Sequence, residues 1–498
     1  MFLRICGAAA LLLVIPFSAH AAITCADVRR AIDKDLAGVV TCFVSNDLTT
    51  NNTAIDQKTT PDNNSLGLAP GAFTPITDRG VISPDAPNRT PIMKAVPGLQ
   101  INARIASDPT GQARFLLRLP NDWNGRLVVA GASGTRSEFN GDFAWSDYVV
   151  QQGYAYASQN KGVLNLFIVS LNSPTPPADP LACRLNPTSP VWVHFYDNDP
   201  GQPFTRWAVI KAAQLAREGV RAGYGQPPRY TYAVGTSNGG YQVRRAIESA
   251  PGFFDGGVDW EGTFVQEQAP NLLTDLPPAI LNFPDYVASG FSAASTAASN
   301  IQGAGYPPDI VSGTTSFWGL HNAQFWEVTQ CQWQKRLDPA YDTYGSGTGT
   351  YNYVSRLSES DVGAQMAAFA NTGKIRRPLV TVAGTMDALL PIKHHARAYA
   401  RKVEAAAKEK RDGEDDDRDH RRTAFRLYEV QNGNHIETYK NTFPQLEFIQ
   451  PHAQRAFDVL VSHVERGAAL PPSQCIPRGG TIADAPAQPG HCASLFVP

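Results

Sequence analysis

The stretch YTYAVGTSNGG at residues 230–240 decides the fold of this 498-residue chain. Its first five residues predict a β-strand, and the residues that follow the paired glycines predict a helix. Between them, Ser237 stands at the centre of a G-x-S-x-G turn, with Gly235 and Gly239 two positions to either side. A turn this sharp between a strand and a helix pushes a nucleophilic side chain clear of the sheet. We therefore predict an α/β fold in which Ser237 is the nucleophile, placed at the positive end of a helix dipole.

A seryl hydroxyl needs a general base, and the base needs a carboxylate that orients it. Asp387 follows directly after a predicted strand at residues 379–383, and His435 lies in the loop after a predicted strand at residues 425–430. Serine, acid and histidine follow one another in this order in folds built around such a turn. We predict that Ser237, Asp387 and His435 form a catalytic triad.

Four other side chains compete for these roles. His394 and His395 follow Asp387 closely and fall on the next predicted helix, which disfavours them as the base. Asp259 and Glu261 end the strand that follows the serine helix, where some hydrolases place their acid. Lining the substrate pocket is the expected role there, and Trp260 and Glu261 are predicted substrate-binding residues.

The transition state of acyl transfer also needs two backbone N–H groups to hold the oxyanion. One is expected from Asn238, directly after the nucleophile. The other is expected from the small-residue loop at residues 131–134, which follows a predicted strand. Ala132 and Ser133 are both candidates, and the sequence leaves the choice between them open.

Short apolar runs alternate with helical stretches over much of the chain, which predicts a mostly parallel sheet with helices on both faces. The further predicted strands are 115–117, 127–130, 154–157 and 257–260, and the predicted helices are 204–222, 241–250, 392–408 and 451–466. Residues 262–375 break the alternation and are rich in proline, serine, alanine and aromatic residues. We interpret them as an inserted lid whose aromatic side chains mostly fill its own core and in part line a pocket.

The N-terminus has the pattern of a secretory signal peptide. Arg4 precedes an apolar run at residues 8–17, and Ala19 and Ala21 supply the small residues of a cleavage site. A membrane anchor is the alternative, but the run is too short to span a bilayer comfortably. We predict a soluble protein exported to the periplasm or the medium. The expected division is a signal peptide at 1–21, an N-terminal extension at 22–110, a catalytic domain at 111–261 and 376–470, the lid at 262–375, and a C-terminal segment at 471–498.

Cysteine usage agrees with export. Cys6 leaves with the signal peptide, and an even number remains in an oxidising compartment: Cys25, Cys42, Cys183, Cys331, Cys475 and Cys492. Six cysteines allow fifteen pairings. Short loops favour Cys25–Cys42 and Cys475–Cys492, which leaves Cys183–Cys331 as a long-range bridge. The chain has no C-x-x-C pair, so a zinc site is disfavoured.

Composition excludes several classes of protein. With 43% hydrophobic residues and 43 basic against 45 acidic side chains, the chain can bury a core and lacks the basic excess that nucleic-acid binding requires. Its 41 glycines and 38 prolines favour turns and long connections over a helical bundle. The charged segment 408–422 predicts a solvated loop, since its carboxylates lack the spacing of a calcium loop. We expect no metal ion or organic cofactor, and the oligomeric state is left open.

Several motifs together resemble the tannase and feruloyl esterase family of secreted α/β-hydrolases. They are Trp123-Asn124-Gly125-Arg126, Gly153-Tyr154-Ala155, the serine turn, Phe254-Asp255-Gly256-Gly257-Val258 and the loops of Asp387 and His435. The resemblance covers roughly residues 110–165, 225–265 and 375–437. It implies an α/β-hydrolase fold, hydrolysis of carboxylic esters that are often esters of aromatic acids, and the triad Ser237, Asp387 and His435 beneath a lid.

One pair of positions departs from that family. Thr236 and Ile436 stand where the family carries two disulfide-bonded cysteines beside the serine and the histidine. The serine turn is also similar to that of secreted hydrolases of 3-hydroxybutyrate oligomers, which lack this disulfide. We therefore predict a secreted serine esterase acting on a small or oligomeric ester, with aromatic-acid esters as the first substrate class and aliphatic polyester (3-hydroxybutyrate) oligomers as the alternative. A serine peptidase or a non-catalytic binding protein of the same fold are the remaining alternatives.

Overall fold

The structure is a computed structural model that describes residues 23–33, 36–52, 89–108, 113–134, 137–161, 167–179, 181–194, 209–341, 350–411 and 424–498. The predicted signal peptide and residues 412–422 of the charged segment lie outside the described residues. Within the described ranges, no helix combines the length and the apolar character needed to cross a bilayer.

A ten-stranded sheet forms the centre of the protein, with the strand order β1-β2-β3-β5-β4-β9-β10-β13-β14-β15. Its strands are β1 (Leu36–Ser45), β2 (Gly98–Ile105), β3 (Arg114–Pro120), β4 (Arg126–Gly131), β5 (Ala155–Gln159), β9 (Tyr230–Thr236), β10 (Gly256–Trp260), β13 (Leu379–Gly384), β14 (Phe425–Val430) and β15 (Gln474–Ile476). The seven strands from β5 to β15 are parallel to one another, and β1, β2 and β3 pair antiparallel at one edge. The predicted mostly parallel sheet is confirmed.

The strand register aligns the ends of the strands that precede the predicted catalytic residues. Trp260 at the end of β10 pairs with Thr236 of β9 on one side and with Val382 of β13 on the other. Val382 pairs in turn with Tyr428 of β14. The loops that follow these four strands therefore leave the sheet at the same edge.

Helices cover both faces of the sheet. They are α1 (Cys25–Ile32), α2 (Asp147–Val150), α3 (Val209–Tyr224), α4 (Asn238–Ser249), α12 (Ala396–Arg411) and α13 (Gln450–Arg466). Apolar side chains of α1, α3, α4 and α12 pack on one face. Those of α2 and α13 pack on the other, where Phe457 contacts Trp145, Tyr154 and Tyr232. Burial on both faces explains the near-continuous apolar runs of β4, β9 and β13.

The N-terminal extension contains a strand that the sequence analysis did not predict. Within the expected N-terminal extension at 22–110, residues 98–105 form β2, which is almost entirely buried. The apolar side chains of β2 face one core, while Gln100 faces the other side and accepts a hydrogen bond from Arg118 Nε at 2.8 Å. Arg118 also pairs with the buried Asp142 at 2.7 Å. The partners of the polar side chains of β2 lie far away in the chain, so no local sequence pattern indicates that these side chains are buried.

Between β10 and β13 the chain forms a layer of helices and one short hairpin, β11 (Val311–Ser312) with β12 (Thr315–Ser316). The helices are α5 (Leu272–Asp275), α6 (Pro277–Ala288), α7 (Thr296–Gly303), α8 (Phe317–His321), α9 (Glu327–Leu337), α10 (Tyr353–Glu359) and α11 (Val362–Ala367). Their aromatic side chains, among them Phe283, Trp318 and Trp326, are mostly buried in an apolar cluster that also includes residues of the loops after β13 and β14, such as Met386 and Tyr439. Most aromatic residues of this segment are thus buried, as expected, but in a core that they share with loops of the central sheet.

A second insertion was not anticipated by the sequence analysis. The strands β6 (Phe167–Ser170), β7 (Cys183–Arg184) and β8 (Trp192–His194) form a small antiparallel sheet outside the central one. The disulfide between Cys183 and Cys331 ties this sheet to α9 of the helical layer between β10 and β13. The other two disulfides, Cys25–Cys42 and Cys475–Cys492, each close a short loop, as the loop lengths favoured.

Candidate active site

Ser237 occupies the tight turn between β9 and α4. Its backbone has φ 59° and ψ −121°, a conformation that residues other than glycine rarely adopt. The Ser237 N–H donates to the carbonyl of Trp260 at 2.8 Å, which fixes the turn to the neighbouring strand. Such strained residues persist where the surrounding structure holds them, and they cluster at active sites.

Close backbone packing explains the glycines of the turn. A Cβ on Gly235 would lie 2.4 Å from the carbonyl oxygen of Gly239, and a Cβ on Gly239 would lie 2.1 Å from that of Gly131. Both separations are too short for any side chain. The turn therefore requires glycine at these positions, and α4 lies directly against the end of β4.

His435 and Asp387 are in direct contact. The Nδ1 atom of His435 lies 2.8 Å from Oδ2 of Asp387, and both side chains are buried. The other carboxylate oxygen of Asp387 accepts N–H groups from Leu389 at 2.9 Å and from Leu390 at 2.6 Å. A carboxylate only accepts, so the proton of the imidazole lies on Nδ1. Nε2 then keeps its lone pair and can act as a base.

Glu261 lies beside the same histidine nitrogen. Its Oε2 is 3.6 Å from Nδ1 of His435, and its Oε1 accepts the N–H of Gly384 at 3.2 Å. Burial and the neighbouring charge of Asp387 raise the pKa of Glu261 well above its usual value. The carboxyl group of Glu261 thus lies against the histidine and its acid, and its predicted part in substrate binding stays a prediction.

The loop after β4, which contains the predicted oxyanion donors Ala132 and Ser133, lies against the first turn of α4. The N–H of Ser133 donates to Oδ1 of Asn140 at 2.8 Å. The carbonyl of Ser133 accepts from Lys161 Nζ at 2.6 Å, and that of Ala132 accepts from Gln242 Nε2 at 3.3 Å. Three side chains thus hold the loop, and one of them, Gln242, belongs to α4, whose first residue is the buried Asn238.

The other residues singled out from the sequence have structural partners. Asp259 forms a fully buried ion pair with Arg244 of α4 at 2.5 Å and accepts from Thr381 at 2.7 Å. It anchors the serine helix to the sheet instead of facing His435. Trp260 points to the opposite face of the sheet, where its ring packs edge-on against Trp145 with centroids 6.4 Å apart.

His394 and His395 belong to a separate buried cluster at the base of the lid. The carboxylate oxygens of Asp275 lie 3.8 Å from Nδ1 of His394 and 3.6 Å from Nε2 of His395. Nδ1 of His395 accepts the N–H of Phe264 at 3.0 Å. Burial lowers the pKa of His395 and raises the pKa of Asp275 to about 8, so these groups face each other uncharged at neutral pH.

One residue near the site was missed by sequence reasoning. His321, on α8, is fully buried, with its ring centroid 5.3 Å from that of Tyr439 and 4.8 Å from that of Phe317. Burial, and after it the repulsion that His435 exerts when it is protonated, lower the pKa of His321 to about 3, which keeps the ring neutral. No local pattern marks a single histidine in a region without periodicity, so only the tertiary contact reveals it.

A metal ion is the other occupant to consider for this site. Glu261, Asp387 and His435 each offer one ligand atom, and these atoms lie within 4.8 Å of one another. A ligating Nδ1 carries no proton, whereas the hydrogen bond to Asp387 requires one there. The geometry therefore favours a hydrogen-bonded pair of histidine and acid.

The mostly parallel sheet with three antiparallel strands at one edge, the serine turn and the acid and histidine loops define an α/β-hydrolase fold. An esterase from Aspergillus oryzae shares this fold, with a TM-score of 0.50 and 13% identity over 90% of each chain. Tannin acyl hydrolase from Aspergillus niger is also similar, with a TM-score of 0.48 and 13% identity over 90% of this chain and 87% of that one.

Sequence comparison points to a more particular group. The sequence model of a family described as 3HB-oligomer hydrolase matches residues 335–493, a segment that contains Asp387 and His435. A D-(-)-3-hydroxybutyrate oligomer hydrolase from Burkholderia thailandensis is 34% identical over 119 residues, which is 22% of this chain and 15% of that protein. One from Burkholderia mallei is 33% identical over 118 residues with the same coverage. The match thus spans about 15% of the length of these relatives, and the resemblance to them noted from the sequence is confirmed.

Proposed function

We propose that this protein is a serine hydrolase of carboxylic esters, with Ser237, His435 and Asp387 as its triad. The hydrogen bond of 2.8 Å between His435 Nδ1 and Asp387 Oδ2 carries the proposal, because it leaves Nε2 as a base at the sheet edge where the strained Ser237 turn emerges. The strands that precede Ser237, Asp387 and His435 end at the same level of the sheet, which supports the proposal that the three side chains meet there.

The reaction follows from these groups. Ser237 Oγ attacks the ester carbonyl carbon while His435 Nε2 takes its proton, and Asp387 stabilises the imidazolium that forms. His435 then gives that proton to the departing alcohol, which leaves an acyl-enzyme. Water attacks the acyl-enzyme by the same route, releasing the acid and restoring the serine hydroxyl.

Two backbone N–H groups are proposed to hold the oxyanion. Asn238 supplies the first, as the residue after the nucleophile. Of the two candidates in the loop after β4, Ser133 already donates its N–H to Asn140, so we assign the second donor to Ala132. Each such donor contributes about 10²- to 10³-fold to the rate.

We propose oligomers of 3-hydroxybutyrate as the substrate class. The matching family segment includes the acid and the histidine of the site, and the relatives that align with this chain are named as hydrolases of such oligomers. These esters are aliphatic, and their leaving group is a secondary alcohol. Esters of aromatic acids are the second class to be compared, since the sequence motifs resemble enzymes that cleave them.

Export and the division into a catalytic domain and a lid are further parts of the proposal. Three disulfides in the described residues support an oxidising compartment. The helical layer between β10 and β13 supports the lid at residues 262–375. N-terminal sequencing of the secreted protein, with cleavage expected after Ala21, tests the export.

The decisive experiment compares the wild-type protein with Ser237→Ala on three panels: 3-hydroxybutyrate oligomers, short aliphatic esters and aromatic-acid esters. Ser249→Ala, at the exposed end of the same helix, is the matched control. We expect Ser237→Ala to lose ester hydrolysis and labelling by a fluorophosphonate, while Ser249→Ala keeps both.

Undiminished hydrolysis by Ser237→Ala would refute the triad. A clear preference for aromatic-acid esters would refute the proposed substrate class but not the triad. Faster cleavage of peptide amides than of esters would instead identify a peptidase, and the absence of both labelling and turnover would identify a binding protein. Activity is expected to survive EDTA, since the proposed mechanism uses no metal ion.

A further inference from the structure

Two carboxyl groups face one nitrogen of the proposed catalytic histidine. Asp387 Oδ2 lies 2.8 Å from His435 Nδ1, and Glu261 Oε2 lies 3.6 Å from it. Asp387 follows β13, and Glu261 follows β10, the neighbouring strand. An acidic residue thus follows each of the two neighbouring strands, β10 and β13, and both carboxyl groups lie beside the histidine.

The two carboxyl groups differ in the hydrogen bonds that they accept. Asp387 accepts N–H groups from Leu389, Leu390 and His435. Glu261 accepts the N–H of Gly384 through Oε1, while its Oε2 has no hydrogen-bond partner among the described residues. Donated N–H groups stabilise the charged form of a carboxylate, so the negative charge is placed on Asp387.

A second negative charge at this location would be costly. Both carboxyl groups are at least 98% buried, and their ligand oxygens lie within 4.8 Å of each other. Two like charges at such a distance, away from water, cannot both remain ionised without a nearby cation. Glu261 therefore keeps its proton, in agreement with its raised pKa.

The position of Glu261 is fixed by its surroundings. Its φ is 52°, in the left-handed region, and its N–H donates to the carbonyl of Val382 at 2.8 Å. The N–H of the next residue, Gly262, donates a hydrogen bond to Oδ1 of Asp259 at 2.7 Å. A bulky residue keeps such a backbone conformation only where contacts on both sides impose it.

From this geometry we propose that Glu261 is a second orienting acid for His435. It is held as the neutral carboxylic acid while Asp387 carries the charge. When Asp387 is neutralised, Glu261 accepts the hydrogen bond from His435 Nδ1–H in its place. In the first state it is a positioning residue that packs against the imidazole without adding charge. In the second state it releases its own proton to solvent and becomes the acceptor. The proposal rests on the triad proposed above.

Two other titratable groups lie near this pair, and neither replaces Glu261. Glu437 acts electrostatically on Glu261, but its Oε1 is engaged by the N–H of Gln450 at 2.7 Å. His321 lies close enough to His435 to feel its charge and stays neutral because its pKa is about 3.

A double-mutant cycle tests the proposal by combining Glu261→Gln with Asp387→Asn. Glutamine keeps an acceptor for the Gly384 N–H and has the charge of the protonated acid, so Glu261→Gln alone is expected to lower kcat far less than the same change does in the Asp387→Asn background. Asp387→Asn is expected to lose roughly 10²-fold in kcat instead of the roughly 10⁴-fold typical of this change in a serine protease triad. The double variant is expected to lose roughly a further 10²-fold.

Glu437→Gln is the matched control, because it also neutralises a buried carboxyl group near the site. Its effect on kcat is expected to be the same in the wild-type and Asp387→Asn backgrounds. If Asp387→Asn is as inactive as the double variant, or if Glu261→Gln has the same effect in both backgrounds, the proposal is wrong.

A spectroscopic measurement tests the same idea without any substrate. The proton on His435 Nδ1 should give a low-field ¹H NMR signal in the wild-type protein and in Glu261→Gln. We expect the signal to persist, at a shifted position, in Asp387→Asn and to vanish in the double variant. Its loss in Asp387→Asn alone would overturn the role of Glu261. Because this measurement does not depend on turnover, a failure of the proposed ester hydrolysis and a failure of the second acid are distinguishable.

Discussion

Replacing Gly239 by alanine tests the packing that places the serine turn beside the loop after β4. A Cβ at this position would lie 2.1 Å from the carbonyl oxygen of Gly131, whereas real Cβ atoms essentially never approach a neighbour within 3.0 Å. The added Cβ is fixed to the backbone of α4, and the atom that it meets is a backbone carbonyl oxygen, so no flexible side chain can move aside. The helix α4 and the loop must therefore separate by about 0.9 Å.

That displacement falls between the two proposed oxyanion donors. Asn238 directly precedes Gly239 on α4, and Ala132 directly follows Gly131. A misplacement of about 1 Å can cost about 10²-fold in rate, and overpacking of a filled site costs about 1–3 kcal/mol of stability. For Gly239→Ala we expect kcat/KM to fall about 100-fold and the unfolding temperature to decrease.

Gly252→Ala is the matched control. Gly252 lies just beyond the C-terminus of α4, and a Cβ there would meet nothing within 4 Å. The assay is hydrolysis of an activated ester under pseudo-first-order conditions, with fluorophosphonate labelling to report the reactivity of Ser237 and thermal unfolding to report stability. Wild-type kcat/KM and unfolding temperature in Gly239→Ala would refute this account of the turn, while Gly252→Ala should match wild type in every measurement.

Three further outcomes are expected. Asn140→Ala removes the acceptor of the Ser133 N–H and loosens the oxyanion loop, so kcat should fall roughly tenfold or more while KM changes little, as steady-state kinetics will show. Asp275 has a folded pKa of about 8, well above the ordinary value of 3.8, so the folded state keeps a proton that the unfolded state has released between these pH values. Its contribution to stability is therefore lost as pH rises through this window, by about 1.4 kcal/mol per pH unit, and denaturation from pH 5 to pH 8 should show a shallower decline in Asp275→Asn than in wild type. Removing the Cys183–Cys331 bridge, which spans 148 residues, should lower the free energy of unfolding by about 2–5 kcal/mol; an unchanged denaturation midpoint in the double alanine variant would show that the bridge does not restrain the lid.

Much of the central sheet could be predicted from the sequence because its strands are buried on both faces. The predicted strands at 230–234, 379–383 and 425–430 agree with β9, β13 and β14 to within two residues. The strand β2 was missed because half of its side chains are polar. Those side chains are buried in the network around Arg118 and Asp142, which no local pattern contains.

The sequence also led to the candidate triad, because Ser237, Asp387 and His435 each follow a recognisable strand in the expected order. The loop after β4 was likewise predicted from the sequence to supply an oxyanion donor, and the contact between Ser133 and Asn140 favours Ala132 over Ser133 in that proposed role. The small sheet at residues 167–194 was missed because its strands are only two to four residues long and carry no clear alternation.

The sequence by itself determined which residues end the strands and which of them can attack, take a proton or carry a charge. These properties depend on side-chain chemistry and on periodicity over a few neighbouring residues. Only the tertiary structure decided how the candidate acids divide their roles: Asp259 pairs with Arg244, Asp387 with His435, and Glu261 lies beside both members of the second pair. The physical reason is the order of the strands. Because β10 lies beside β13 in the sheet, Glu261 lies next to Asp387 and His435, which are more than a hundred residues further along the chain.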